Sequence, residues 1–220
     1  MLRSLRRRRP AGEDPDDQPP FLDSASYWER RYATGGDSGV GSYDQLAQFK
    51  ATTLNRFVAD HGVASVVELG CGDGNQLALA EYPSYIGLDV APSAVDRCIA
   101  AFRDDPSKSF FRYDPDRFVD RQGTFRCDLA LSLDVVFHLV EDAVFERYMH
   151  TLFDCGGRFV CIYSSNDEVP DIGHHVRHRH FTPWVEQHRP DWVLVERVPN
   201  PHRGRLEGAV SDFWFYAAVR

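Results

Sequence analysis

The residues with the clearest chemical content are Val66-Val67-Glu68-Leu69-Gly70-Cys71-Gly72-Asp73-Gly74, an apolar run that ends in an acid and alternating glycines. Glycine has no Cβ and enters positive φ freely. Gly70 and Gly72 therefore permit a tight turn out of a strand and let a ligand lie against bare backbone. A dinucleotide-binding turn reads G-x-G-x-x-G and would carry its third glycine at position 75, where this chain has Asn75. The pattern here, E-x-G-x-G-x-G, lacks that third glycine and suits a strand that stops beneath a bound nucleoside. A second apolar run, Tyr85-Ile86-Gly87-Leu88-Asp89, ends in a carboxylate roughly twenty residues beyond Gly70. At that separation an acid on the next strand tip meets ribose hydroxyls. Asn75 and Gln76 are expected to open the following helix, where backbone N–H groups are unpaired.

This constellation resembles the first motif of class I S-adenosylmethionine-dependent methyltransferases, and the likeness extends over roughly residues 24 to 220. It implies S-adenosyl-L-methionine as cofactor, held by Glu68, Gly70, Cys71, Gly72, Asn75, Gln76, Asp89 and Val90, with Ser42 as a further contact at a helix start. It also implies that a polar residue at the third strand tip, here Asp114, accepts from the adenine amino group. Because Pro115 follows, a turn carboxylate without a ligand is the alternative.

Methyl transfer from a sulfonium needs the acceptor in line and, for a hydroxyl, a route for its proton. The fourth strand ends in Leu133-Asp134-Val135-Val136-Phe137-His138, which puts Asp134 and His138 four residues apart and able to face one cleft. His138 is the candidate base, the alternative being a histidine satisfied beneath the next helix. Asp134 has three open roles: orienting His138, meeting the methionine portion of the cofactor, or ligating a divalent ion. Glu141 and Asp142 keep a carboxylate-bound magnesium open as a second cofactor. The loop after the fifth strand carries His174, His175, Arg177, His178 and Arg179; it reads as a polar lid whose arginines donate to a hydroxyl-rich or anionic acceptor, with Tyr163 at its root. A metal site and a surface loop with incidental histidines are the alternatives. From the other side, Tyr27 to Tyr32 leads into the flexible Gly35-Gly36-Asp37-Ser38-Gly39-Val40-Gly41 stretch, read as a second closing segment or a linker.

The string from Tyr27-Trp28-Glu29 through Phe49-Lys50-Ala51, with Gly72-Asp73-Gly74-Asn75-Gln76 and Tyr163-Ser164-Ser165-Asn166, is similar to bacterial sugar O-methyltransferases of polysaccharide and glycan tailoring, the enzymes of methylmannose polysaccharide synthesis among them. That likeness implies a sugar or oligosaccharide acceptor, a mannoside in the narrowest form. Methylation of another small molecule's oxygen or nitrogen, and a non-catalytic binding domain of the same fold, are the competing readings.

These groups need a sheet to carry them. Strands are expected near Ser65–Leu69, Tyr85–Leu88, Phe110–Tyr113, Leu129–Leu133, Arg158–Tyr163, Trp192–Val198 and Ser211–Val219. Helices are expected over Ser42–Val58, Ala94–Phe102 after a Ser93 N-cap, Glu141–Phe153 and Thr182–His188. The order is that of an α/β, Rossmann-like class I methyltransferase, with a seven-stranded, mostly parallel sheet whose last strand is antiparallel. Residues 1–22 read as a disordered tail, arginine-rich and then acidic, and 23–220 as one domain; at 43% hydrophobic residues it can bury a substantial core. The formal charge of −8 argues against nucleic acid, and no apolar run reaches the length of a membrane span. Five cysteines without a C-x-x-C pair suit a reducing cytoplasm. The aromatic segment Phe213–Tyr216 could bury a second subunit as readily as a helix, which leaves a homodimer open.

Overall fold

In the computed structural model, which describes residues 21–167 and 174–219, the chain orders as α1 (Ser24–Ala33), α2 (Asp44–His61), β1 (Val66–Leu69), β2 (Tyr85–Asp89), α3 (Pro92–Ala101), β3 (Lys108–Arg112), β4 (Cys127–Leu133), α4 (Asp142–Cys155), β5 (Gly156–Ser164), α5 (Thr182–His188), β6 (Trp192–Val198) and β7 (Asp212–Ala218). The reading of residues 1–20 as a tail, and the part of the histidine-rich loop from 168 to 173, lie outside the described residues.

β1 is buried along its whole length, as an apolar run in the middle of a parallel sheet must be. It pairs in parallel with β2 and β4, and the seven strands lie in the order β3-β2-β1-β4-β5-β7-β6. β7 runs antiparallel to both its neighbours, so the expected reversed last strand is present. Alternate residues of each strand serve opposite layers. Val67, Leu69, Ala130, Val160, Ile162 and Trp214 pack with α4 and α5. Val66, Leu129, Leu131, Cys161, Phe213 and Phe215 pack with Leu54 and Phe57 of α2 and Cys98 of α3. Parallel order brings the carboxyl ends of β1 to β5 to one rim, where ligands of such sheets bind.

Two local expectations are corrected. Asn75 and Gln76 do not open a helix: only a single 3-10 turn, Leu77–Leu79, follows the glycines. Asn55 of α2 ends it, giving its Nδ2 to the Leu79 carbonyl and accepting the Glu81 N–H, each at 3.0 Å, and Pro83 follows. Ser93 is not the cap of α3. That helix starts at Pro92, which has no N–H to satisfy, after Ala91, and the Ser93 N–H and hydroxyl are both taken by the Glu29 carboxylate. Tyr27–Tyr32, to which the sequence assigned no element, lies in α1, capped by Asp23, which accepts the Ser26 N–H at 2.7 Å. α1 lies against α3 through Glu29 and through Arg97, which donates to the Tyr32 and Gly36 carbonyls.

A buried hydroxyl joins the layers at the rim. Tyr148 of α4, 1% exposed, bonds the Leu69 carbonyl at 2.9 Å and the Ser132 hydroxyl at 2.7 Å, tying the ends of β1 and β4 to one helix. Tyr148→Phe keeps the ring but leaves both partners short of a bond. Urea unfolding is expected to show a loss of about 1–2 kcal/mol with unchanged slope.

Candidate active site

The glycine turn is held from three directions. Gly70 and Gly72 have φ of 87° and 60°, and a Cβ on Gly70 would sit 2.5 Å from Val135, so neither position accommodates another residue without strain. The Gly72 N–H donates to the Asp89 Oδ2 at 2.9 Å, joining the β1 turn to the tip of β2, and the Ala91 N–H donates to Oδ1 at 2.9 Å. Asp89 is buried. Burial drives its pKa up to about 6 against the pull of the Ala91, Gly72 and Val90 amides.

Asp73, which sequence reasoning did not single out, anchors the glycine-serine stretch. Its carboxylate accepts from the Ser38 N–H at 2.9 Å, the Tyr43 hydroxyl at 2.8 Å and the Asn75 N–H at 3.1 Å, while its own N–H donates to the Ser38 hydroxyl at 3.0 Å. Burial would raise its pKa, but these donors outweigh it and lower the value. Residues 38–43 are thus a strap laid over the turn. Ser42 lies on the cleft wall and takes the Asn75 side-chain amide on its carbonyl at 2.6 Å. Gln76 gives its Nε2 to the Ala47 carbonyl at 3.2 Å, and its Oε1 is buried without a hydrogen-bond partner. Cys71 is buried beside Cys98, and hydrogen bonding to that thiol together with burial raises its pKa well above the ordinary thiol range.

Glu68 is buried under the turn and accepts the Tyr85 hydroxyl at 2.7 Å. Burial raises its pKa to about 7, with Tyr85 and the charge of Lys50 opposing. Lys50, also missed in the sequence, is 1% exposed and donates to Asp134 Oδ2 at 3.1 Å; Ser211 donates to Oδ1 at 2.6 Å. Asp134 has φ 57°, rare for a residue with a side chain. Its partners are therefore Lys50 and Ser211, not His138. His138 lies on the same cleft wall, and its Nδ1 bonds the His175 carbonyl at 2.9 Å, so Nδ1 carries the proton and Nε2 the lone pair. Burial lowers its pKa to about 3, the His175 carbonyl bond opposing. Trp28 meets its ring edge-on at 4.8 Å, and His175 stacks between His138 and Tyr27.

The arginines of the fifth-strand loop do not reach out to a ligand. Arg177 and Arg179 both bind Asp142, at 2.7 and 2.8 Å, and donate to the Leu139 and Val140 carbonyls. They fix the 139–142 turn and the start of α4. His178 is buried, with its Nδ1 2.7 Å from the Ser165 hydroxyl, and His174 is exposed. Tyr163 is buried and accepts from Asn200 Nδ2 at 2.9 Å. Tyr163, His174, His175, Arg177, His178 and Arg179 are all absent from the cleft wall, so the acceptor-binding role expected for them is not supported by their placement. Glu141 accepts the Ser24 N–H and hydroxyl at 2.9 and 2.7 Å, pinning the start of α1 to the cleft. With Glu141 and Asp142 so committed, the residues expected to hold magnesium do not fit it, and no cluster of three or more His, Cys, Asp or Glu suited to a metal occurs among the described residues.

The cleft between the strap, α1 and the strand tips spans about 1190 Å³ of open space, its mouth included. Glu68, the glycine turn and Gln76 line one part of it; Asp89, Val90, Tyr113 and Asp114 line another. Asp114 also accepts the Asp116 N–H at 2.9 Å, as a turn carboxylate does. In all, eight carboxylates line the cleft against one lysine and His138. Such a wall repels phosphates and attracts cations.

No protein-family model and no curated protein matches the sequence. Solved structures do. The N-methyltransferase NodS from Bradyrhizobium japonicum, in complex with S-adenosyl-L-homocysteine, superposes with a TM-score of 0.73 at 17% identity over 90% of this chain and 100% of that one. The magnesium protoporphyrin IX methyltransferase ChlM from Synechocystis, with bound S-adenosylmethionine, gives 0.65 at 12% identity over 91% and 100%. A putative RNA methyltransferase from Pyrococcus horikoshii gives 0.59 at 18% identity over 93% and 92%. The chain has the Rossmann-like fold these methyltransferases share.

Proposed function

We propose that the protein is an S-adenosylmethionine-dependent methyltransferase that acts on a hydroxyl of a sugar or oligosaccharide. The observation that carries this reading is the electronegative cleft at a glycine turn: eight carboxylates against one lysine suit a sulfonium donor and oppose a pyrophosphate. Bound there, the donor would supply an electrophilic methyl group. Asp89 has lone pairs beyond those used by the Gly72 and Ala91 amides and would take ribose hydroxyls, with Val90 and Tyr113 beside the base. The apolar wall of Trp28, Tyr32, Val135 and Leu139 would exclude water and offer an aromatic face to a sugar ring, with polar groups nearby for its hydroxyls. The resemblance to polysaccharide-tailoring enzymes favours a mannoside within this class. The partners in this reading are small molecules or oligosaccharides, and the compartment is the cytoplasm; no helix among the described residues is long and apolar enough to cross a membrane.

His138 takes the acceptor proton on Nε2, its ring fixed by the His175 carbonyl. Its depressed basicity makes it a weak base, so alignment in a dry cleft carries more of the barrier than proton transfer does. The same weakness gives weight to a second reading, methylation of an amine, which needs no base.

His138→Ala separates the two. For a hydroxyl acceptor, turnover is expected to fall about 10²-fold with S-adenosylhomocysteine affinity unchanged; for an amine, turnover should hold within a factor of about 3. In the wild type, turnover at saturating donor and acceptor should show no inflection from His138 near 6.5, because His138 is already neutral down to about pH 3.

Asp89 gives a test of the cofactor site. Hydroxyls donating to its carboxylate favour the charged form, so binding lowers its pKa from about 6 and releases protons. Affinity for S-adenosylhomocysteine should therefore rise with pH up to about 6 and level off above it. Calorimetry at pH 6 in buffers of different ionisation enthalpy should register the released proton, and Asp89→Asn should both weaken binding and remove most of that release.

A further inference from the structure

β6 is the last strand on its side of the sheet, paired with β7 and, among the described residues, with no strand beyond it. Its outward N–H and C=O groups form an open row, the kind that soluble proteins guard with lysines, prolines or short strands. β6 uses none of these. It runs seven residues, Trp192–Val198, without a lysine or proline, whereas β3 at the opposite edge is five residues long with Lys108 and Arg112 at its ends. Val193, Leu194 and Val195 are 47, 46 and 50% exposed, and Val219, whose N–H bonds the Asp191 carbonyl at 2.8 Å, is 57% exposed. These are four of the ten large hydrophobic side chains exposed among the described residues, so apolar surface is concentrated at this one edge. The aromatic segment Phe213–Tyr216 is covered within its own chain, at 9% exposure or less, and offers a second subunit little.

The order of residues along the edge selects its occupant. From one end to the other it reads Asp191-Trp192-Val193-Leu194-Val195-Glu196-Arg197, which complements itself when a copy lies antiparallel with a two-fold axis at Leu194. Val193 then lies opposite the partner's Val195, and Asp191 opposite the partner's Arg197. Asp191 and Arg197 each keep an ion pair within their own chain, with Arg189 at 3.7 Å and Asp212 at 2.8 Å, yet their side chains remain 63 and 49% exposed. Other registers lose the match. Half a residue one way sets Val193 against the partner's Glu196, and half a residue the other way sets Asp191 against the partner's Glu196, two acids face to face. The register with β7 shifts between Leu194 and Glu196, which adds twist there, and a copy carries the same twist at the two-fold-related place. We infer that β6 is a homodimer interface, at which two copies of this chain pair antiparallel about Leu194 and join their sheets. None of Asp191–Val198 lines the cleft, so each subunit keeps its own site. A contact this small makes a weak dimer, with a dissociation constant on the order of micromolar.

Sedimentation velocity of the full chain from about 1 to 200 µM should show monomer giving way to dimer. Leu194→Lys puts two ammoniums on the axis and should weaken association about 100-fold or more, with far-UV circular dichroism and thermal midpoint unchanged because the position is half exposed. Leu194→Cys tests the register. The five native cysteines are buried, so a short bismaleimide should link this variant alone, thiol to thiol across the axis. A wild type that stays monomeric throughout overturns the proposal. So does a dimer that Leu194→Lys leaves intact, or one that the bismaleimide fails to link through Leu194→Cys, since either places the contact elsewhere. Growth beyond the dimer overturns it as well, because two-fold pairing closes on itself. Should Leu194→Lys not fold, the cross-link through Leu194→Cys decides.

Discussion

The hydrogen bond from the Gly72 amide to the Asp89 carboxylate holds the site together. It joins the turn after β1 to the tip of β2, two points that are neighbours only because the strands pair in parallel with Leu69 beside Leu88. Without the sheet the bond has no partner; without the bond the turn has no fixed depth beneath the cleft. Asp73 then carries the strap over the turn, and Tyr148 carries α4 against its base, so that each covering segment is fixed to the same few residues.

That geometry concentrates negative charge where folding alone would not. Two carboxyls, Glu68 and Asp89, are buried with pKa values raised to about 7 and about 6, and each is less stable ionised than it would be in water. A carboxyl with a higher pKa folded than unfolded adds stability at low pH, and that contribution is lost as the pH rises through its folded value. The protein thus carries its most awkward charges, near neutral pH, at the place where the proposed sulfonium donor would be bound. The charge of Lys50 relieves part of this load on Glu68, while its ammonium pairs with Asp134 at 3.1 Å.

The parts of this arrangement visible in the sequence are those written in short-range pattern. β1, β2, β4 and β5 are apolar runs bounded by turn residues, and all seven strands were locatable within two residues at each end. Glu68, the glycines and Asp89 were legible because their chemistry depends on spacing along the chain. α1 was not: SASYWERRYA buries only Ser24 and Tyr32 and has no apolar stripe to betray a helix, although Asp23 stood as its cap signal. Lys50 and Asp73 were hidden for another reason. Their partners, Asp134 and Ser38, are 84 and 35 residues away, and nothing local marks a lysine on an amphipathic helix as buried. Arg177 and Arg179 misled for the converse reason, since two arginines near a cleft look like ligand donors until the fold delivers Asp142 to them.

The wall around His138 shows what the cleft is built to favour. A base tuned for proton transfer would sit near a carboxylate and in contact with water, with a pKa close to the working pH. His138 instead lies between Trp28 and Phe137, stacked against His175, with a backbone carbonyl on Nδ1, and burial takes its basicity away. The same burial keeps solvent from the ring, and the His175 carbonyl holds it in one tautomer. In the proposed transfer from a sulfonium the positive charge is spread between donor and acceptor at the transition state and then leaves with the acceptor proton, and a low-dielectric wall favours charge that is dispersed. The weak base and the raised carboxyls are therefore two consequences of one choice, dryness over ionisation, made at the tips of β1, β2 and β4.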